Sequence, residues 1–541
     1  MKSEKKHKNI FNSAIMISCG VFLSRLTGLV RDILFAKYLG SGIIAEAFYV
    51  AFRLPNTFRR IFAEGAFSNA FVPFFASRVN EDKKSANYFA GRIFVILSLA
   101  LILLTIIMEI FMPQIIRVIN PGFLNDKEKF NFAVQFSRIA FPYIILISIC
   151  SFFGSILNSI GAFWQFASIS VVLNLVFIIG LIVVSFFNTN IGFALSWLLI
   201  VAGIIQVIIL AYHCIKKSVF PTLIRHKTEN QPKEQLQQQK EEEKFEIKQF
   251  LKKLLPAIFS SGILQINIFV DGIFASFFTG AVSYLYYTDR IGQFPLSIIG
   301  YSLSVAILPS LSIAFKNKNN FEIANTQKQS FNIAMFFSIP AMFLFATIAT
   351  HLVSLIYERG AFTTEDTKIV SNMLMIYAVS IPFNVMLKIF FSCFYAQKDT
   401  KTPLKISSFA LIFNIITNLL LFKIVGMYCV VIATTLSAVI SCILSVILLK
   451  KQKQFFIQIK DLTFFGKITI ISLISCVICP ILLSRTDLFW ILYLSGMAHI
   501  ILLIVFKIIT KQLILNFIEK YVIYKLRKED EERARRSNRN M

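Results

Sequence analysis

The chain is a succession of about fourteen long apolar runs, each long enough to supply the ~20 residues that a helix needs to cross a hydrocarbon core, separated by segments of charge or turn-forming residues. In lipid no water is available to backbone N–H and C=O groups, so runs of this length are stable as α-helices, which close their hydrogen bonds internally. The runs lie near 10–39, 44–78, 90–117, 133–158, 164–187, 191–215, 249–279, 282–315, 329–356, 367–396, 404–424, 427–449, 466–484 and 488–510. The expected fold is an all-α polytopic membrane protein with about 14 transmembrane helices. The second and eighth runs carry internal Pro, Gly and charge, as expected of broken helices lining a cavity.

A net charge of +26 invites a nucleic-acid reading, but the Lys and Arg residues cluster in the gaps between apolar runs. Alternate gaps are rich in them: Arg78, Lys83 and Lys84, then the 216–248 stretch, then Lys316, Lys318 and Lys328, then Lys398, Lys401 and Lys405, then Lys450, Lys451, Lys453 and Lys460. The positive-inside rule makes that set cytoplasmic, together with both termini. Nucleic acid is not an expected partner. Lys2, Lys5, Lys6 and Lys8 precede an apolar run that continues through Arg25 to Arg31 without a small-x-small cleavage site, so the N-terminus reads as a first spanning helix rather than a signal peptide. The eight cysteines lie almost entirely inside apolar runs and show no disulfide framework. Cys476-x-x-Cys479 sits mid-run without a His or a second pair, which suits packing rather than redox or metal chemistry.

Charge inside the spans narrows the function. Arg25, Arg31, Asp32, Arg53, Arg59, Arg60 and Glu64 all fall within the first two apolar runs. An Arg near the middle of a span costs roughly 2.5–3.5 kcal/mol on insertion scales, so several persist only where they face a polar cavity and meet an anion. Arg60 and Glu64 are spaced i, i+4 and are assigned to each other as a structural pair. Arg31 beside Asp32 has a neutralising neighbour, whereas Arg25 has no carboxylate close in sequence. Arg25, Arg31, Arg59 and Arg290 are the candidates for a diphosphate site, because guanidinium forks match phosphate oxygens.

An internal echo organises the chain further. Ser68-Asn-Ala-Phe-Val-Pro73 and Ser304-Val-Ala-Ile-Leu-Pro309 share S-x-A-x-x-P near the ends of the second and eighth spans. Phe48-Tyr49-Val-Ala-Phe-Arg53 and Tyr286-Tyr287-Thr-Asp-Arg290 lie upstream of them. Six spans separate the copies, which implies two parallel six-helix lobes around a central cavity plus two added helices. The expected domains are an N-terminal lobe (1–215), a cytoplasmic polar linker (216–248), a C-terminal lobe (249–450), two extra helices (451–510) and a basic cytoplasmic tail (511–541).

The run Ser24-Arg25-Leu-Thr-Gly28-Leu-Val-Arg31-Asp32, followed by Leu54-Pro55-Asn56-Thr-Phe-Arg59-Arg60-Ile-Phe-Ala-Glu64-Gly65-Ala-Phe67-Ser68, resembles the signature of the MurJ (MviN) family. The resemblance continues through Tyr287-Thr-Asp289-Arg290, Phe394-Tyr395-Ala and Asp399-Thr-Lys401-Thr-Pro403. It implies the fold of the multidrug/oligosaccharidyl-lipid/polysaccharide exporter superfamily and a lipid II flippase, a transporter rather than an enzyme, in the bacterial cytoplasmic (inner) membrane. Its implied partners are lipid II, the undecaprenyl diphosphate-linked peptidoglycan precursor, and membrane lipids, with the chain acting as a monomer. Arg25, Arg31, Arg59 and Arg290 then match the family's cavity arginines, and Ser24, Glu46 and Asn56 join them as substrate-binding candidates. Glu46 stands where an Asp is common, and Gln293 where a Glu occurs.

Asp271, Asn414, Asn418 and Thr434 offer oxygen ligands suited to a hard cation, and some family members resemble this with a sodium site. No organic cofactor is implied; sodium or a proton is the expected coupling ion. The rival transporter reading is a related exporter of another polyprenyl-linked glycan. A drug antiporter would present acids to cationic cargo, and a membrane enzyme would need a positioned acid, base or metal, whereas His7, His213, His226, His351 and His499 are scattered.

Overall fold

The structure is a computed structural model and describes residues 2–62, 66–187, 190–223, 247–252, 265–457 and 465–473, together with 254 and 262. The centre of the 216–248 linker, Glu64, the end of the thirteenth expected span, the fourteenth span and the tail lie outside the described residues. Among the described residues there is no strand. Eight helical stretches, some built from two consecutive helices, are long and apolar enough to cross a bilayer.

The helices run in the order α1 (Lys2–Leu39), α2 (Ile43–Phe62), α3 (Ala66–Glu81), α4 (Lys83–Ile110), α5 (Met112–Ile119), α6 (Lys127–Ala140), α7 (Tyr143–Ser159), α8 (Phe163–Ala167), α9 (Ile169–Val184) and α10 (Ile191–Lys216). They continue as α11 (Gln265–Ala275), α12 (Ala281–Pro295), α13 (Ser302–Lys316), α14 (Asn320–Tyr357), α15 (Thr364–Ala396), α16 (Lys401–Val425) and α17 (Cys429–Lys451). Starts are marked by side-chain caps that satisfy otherwise orphaned N–H groups. Asp82 accepts from Lys84 and Ser85 N–H at 2.9 and 3.0 Å, and Asp126 from Glu128 and Lys129 N–H at 3.0 and 3.1 Å. At α15 the cap is reciprocal: Asp366 N–H donates to Thr363 Oγ1 at 3.3 Å while Thr363 N–H donates to Asp366 Oδ2 at 2.7 Å.

The eighth span is interrupted where its sequence suggests. In the second, Pro55 lies inside α2 and Pro73 inside α3, and residues 63–65 between them lie outside the described ones. In the eighth, a π-helical segment (Leu296–Tyr301) follows Pro295, whose missing N–H breaks the regular ladder, and α13 continues from it. The two copies of the internal echo fall within helices, Ser68–Pro73 in α3 and Ser304–Pro309 in α13.

The chain divides into two compact units. The first comprises residues 1–291, 352–377 and 400–441, and the second 292–351, 378–399 and 442–541. Aromatic packing fills the first, where Phe35, Phe48, Phe52 and Phe177 interlock with ring centroids 5.5–6.3 Å apart. α7 is almost wholly buried at its centre, whereas α4 turns Leu99, Leu103, Ile106 and Ile110 outward, an apolar band suited to hydrocarbon. In the second unit Gln327 of α14 donates to the Gln454 carbonyl at 2.8 Å and accepts from Phe456 N–H at 3.2 Å, fixing the segment after α17.

Candidate functional site

Arg31 and Asp32 are consecutive on α1, yet both side chains turn into the first unit, 6% and 5% exposed. Arg31 Nε and Nη2 donate to Asp32 Oδ1 at 3.0 and 2.8 Å, and Nη1 donates to Asn174 Oδ1 of α9 at 2.9 Å. Nη2 also reaches the Tyr286 hydroxyl of α12 at 3.3 Å, and that hydroxyl donates to Asp32 Oδ1 at 2.8 Å. Asn174 is oriented by its Nδ2, which donates to the Ser24 carbonyl at 2.9 Å and to Thr27 Oγ1 at 3.0 Å. Burying an ion pair is tolerable when its remaining donors are satisfied, and here they are. Arg31 is therefore the hub that ties α1 to α9 and α12.

Arg290 approaches the same carboxylate from α12, its Nε 3.6 Å from Asp32 Oδ2, but its side chain stays 38% exposed. Its guanidinium lies 4.8 Å above the Tyr286 ring, which stacks on Tyr49 at 4.0 Å and meets the Tyr287 ring edge at 5.7 Å. Tyr49 donates to the Tyr287 hydroxyl at 2.8 Å, and Tyr287 donates to the Gly40 carbonyl at 2.9 Å. This aromatic column holds Arg290 at the margin of the buried network.

Arg25 is exposed and has no hydrogen bond or ion pair among the described residues. It repels Arg290, and Arg290 repels Arg60, whose side chain is also exposed. Asp289 offsets Arg60 and Arg290. Arg25 and Arg290 are the open faces of this cluster.

The other expected site residues fall differently. Arg59 is half-buried, within the field of Tyr143 and Arg60. Asn56 donates to the Phe52 carbonyl of its own helix at 2.7 Å, and Ser24 offers Asn174 its carbonyl. Glu46 is not on the open face: it is fully buried, 2.5 Å from Lys129 Nζ of α6, and its Oε1 accepts from Val282 N–H at 3.2 Å. Lys129 is enclosed by this pair and the Phe123 ring, 4.8 Å away. Burial converts Glu46 from an expected substrate contact into a brace between α2, α6 and α12. The expected Arg60–Glu64 pair involves a residue outside the described ones.

A second carboxylate hub closes one end of the first unit. Asp366 Oδ1 accepts from Ser41 Oγ at 2.6 Å and from the Tyr284 hydroxyl at 2.9 Å. Ala361 N–H donates to the Lys37 carbonyl at 2.8 Å. The approach is backbone on backbone. Gly40 and Gly360, with φ of +60° and +61°, stand where a side chain would run into Ala361 and Lys37, respectively. Beside them, hydrogen bonds from Ser354, Thr364 and Thr367 hold the Glu358 carboxyl below the usual carboxylate range.

Asp271, Asn414, Asn418 and Thr434 converge from α11, α16 and α17. Thr434 Oγ1 lies 3.5 and 3.4 Å from the two Asp271 oxygens, and Asn414 Nδ2 lies 3.5 Å from Asp271 Oδ1 and 3.4 Å from Thr434 Oγ1. Asn418 Nδ2 donates to Asn414 Oδ1 at 2.9 Å, while Asn418 Oδ1 is buried without a hydrogen-bond partner. These slack contacts, one carboxylate and an orphaned amide oxygen fit a hard monovalent cation. No cluster of three His, Cys, Asp or Glu residues suited to a metal occurs among the described residues.

Sequence reading overlooked Asn174, Asp366 and Lys129. Asn174, a lone amide in the apolar run Ile169–Val184, and the capping pattern Thr363-x-x-Asp366 were the available signals.

Residues 35–499 match the family model described as Lipid II flippase MurJ. The chain belongs to the MurJ lipid II flippase family. It is 39% identical over 415 residues to the probable lipid II flippase MurJ of Rickettsia prowazekii, covering 76% of this chain and 78% of that protein. A solved structure titled as lipid II flippase MurJ in an inward closed conformation aligns with a TM-score of 0.75 at 28% identity, covering 92% of this chain and 100% of that one. An inward-facing multidrug resistance MATE transporter of the MOP superfamily aligns with a TM-score of 0.66 at 15% identity, covering 81% and 98%, a likeness of fold alone. The MurJ match and the apolar helices make this a multi-pass membrane protein.

Proposed function

We propose that the chain is a lipid II flippase of the bacterial inner membrane, moving the undecaprenyl diphosphate-linked precursor from the cytoplasmic to the outer leaflet by alternating access. The observation that carries this reading is the arginine cluster inside apolar helices, with Arg25 and Arg290 open and Arg31 fixed behind them. A diphosphate diester carries about two negative charges, and forked guanidinium donors recognise its oxygens at full strength only where water is scarce. Transport needs no covalent step. The site has to bind on one side and release on the other, so its states must differ in affinity.

In this arrangement two six-helix lobes (1–215 and 249–450) surround the cavity, two further helices (451–510) complete about 14 spans, and both termini are cytoplasmic. The chain acts as a monomer. The contact of Ser41, Tyr284 and Lys37 with the 361–366 segment lies on the outward side and holds that side shut. Asp271, Asn414, Asn418 and Thr434 hold a sodium ion, which supplies a charge whose gradient biases the cycle. One charge moved through 100 mV is worth about 2.3 kcal/mol.

The test is replacement. Expressed in a bacterium depleted of its own lipid II flippase, this chain restores growth and cell shape, whereas a well-expressed R25A/R290A variant does not. Failure of the intact, membrane-inserted chain to restore growth would count against the flippase reading. Normal growth of the double variant would remove the arginines from it.

A further inference from the structure

Lys388 lies within α15, about two turns (roughly 12 Å) before the helix ends at Ala396. A lysine in a spanning helix is costly and commonly marks a path for polar cargo, with a partner to be named. Its ammonium has no hydrogen bond or ion pair among the described residues, and the residue is exposed. Lys388 nevertheless belongs to the packing face of α15. One turn on, Ser392 is buried and donates to the Ser304 carbonyl of α13 at 3.5 Å, as well as to the Lys388 carbonyl at 2.9 Å. Between the two helices, Gly300 sits in the π-helical segment: a side-chain carbon there would lie 3.5 Å from Lys388 Cγ and 3.5 Å from Val385 Cα. The apolar stem therefore passes beside Gly300 of the π-helical segment, and the side chain is exposed there. π-Helical turns recur at functional sites because they widen the helix and redirect side chains.

We propose that the Lys388 ammonium is a further anion contact on the transport path, donating to a phosphate oxygen of the lipid-linked diphosphate. This rests on the flippase reading and adds a contact in the second unit that the arginine motifs do not predict. The same chemistry occurs in the headgroup of an anionic bilayer lipid, so the test separates the two sources.

Binding of a polyprenyl diphosphate and, separately, of phosphatidylglycerol is measured by native mass spectrometry on the full purified chain, alongside its thermal melting. One charge-assisted hydrogen bond corresponds to an affinity change of about ten- to hundredfold. The expected result is a loss of that size for the diphosphate in Lys388→Gln, recovery to within about threefold in Lys388→Arg, unchanged phosphatidylglycerol binding and an unchanged melting temperature. Lys388→Met, which keeps the apolar stem, takes the place of the Gln variant should that one not fold. Diphosphate affinity in Lys388→Gln equal to the wild type overturns the proposal, as does a loss confined to phosphatidylglycerol. A wild-type chain that binds no polyprenyl diphosphate overturns the flippase reading itself, and this inference with it.

Discussion

Removing the carboxylate of Asp366 should unlatch the outward side. Asp366 accepts four hydrogen bonds: two from Thr363, which cap its own helix, and two from Ser41 and Tyr284, which exist only while the segments touch. A hydrogen bond to a charged acceptor contributes about 1.5–3 kcal/mol, so the two contacts from Ser41 and Tyr284 amount to about 3–6 kcal/mol at face value. Opening lets water recover part of that, which leaves a shift of about 2–3 kcal/mol, or about 30- to 140-fold in the closed-to-open ratio. Ala45, fully buried near the start of α2, supplies the reporter. In a cysteine-free background carrying Ala45→Cys, labelling by a membrane-impermeant maleimide should accelerate by that factor in Asp366→Ala. Thr363→Ala removes the cap but leaves Ser41 and Tyr284 on Asp366, so it should change the rate little. Equal labelling rates in Asp366→Ala and its parent would refute the latch, as would equal acceleration by Thr363→Ala.

The two kinds of arginine should separate by assay. Arg31→Ala leaves Asp32 buried with only its weaker partners, a change that costs about 3–5 kcal/mol when a buried pair is broken, so melting temperature and transport should fall together. Arg25→Ala should abolish transport of lipid II in liposomes with the melting temperature unchanged. If sodium occupies the Asp271 site, sodium should raise the melting temperature of the wild type; Asn418→Asp should enhance that rise and Asp271→Asn abolish it, read by titrating NaCl against choline chloride. For Glu358, a carboxyl held below its unfolded value of about 4.3, the stabilising contribution is present above that value and is lost as pH falls through the lower folded value. Protection of the amides around 358–367, taken relative to the intrinsic exchange rate at each pH, should therefore fall only in acid, and Glu358→Gln should remove that acid dependence.

Helical content and the interrupted eighth span were legible because bilayer physics leaves few alternatives: long apolar runs become helices, and Pro295 marks where one of them departs from the regular ladder. The starts were less legible. Polar caps such as Asp82 and Asp126 lie outside the apolar runs, so α4 and α6 begin several residues before their hydrophobic periodicity does. At the site, insertion cost and guanidinium chemistry singled out Arg25, Arg31, Arg59 and Arg290, but not which of them is open. That division depends on Asn174 and Tyr286, which reach Arg31 from helices distant in sequence. Glu46 shows the same limit, since a carboxylate in a signature motif reads alike whether it faces substrate or Lys129. The convergence of Asp271 with Asn414 and Thr434 was suggested by family resemblance, whereas spacing linked only Asn414 to Asn418.

A lipid II flippase decides the leaflet in which lipid II resides. Labelled lipid II is followed in cells that depend on this chain alone, and its access to an externally added, membrane-impermeant probe is measured while the chain is rapidly depleted. External accessibility should fall as the chain disappears, with precursor accumulating on the cytoplasmic side, and should return with the wild type but not with the R25A/R290A variant. Undiminished exposure after depletion, with no second flippase present, would contradict the account.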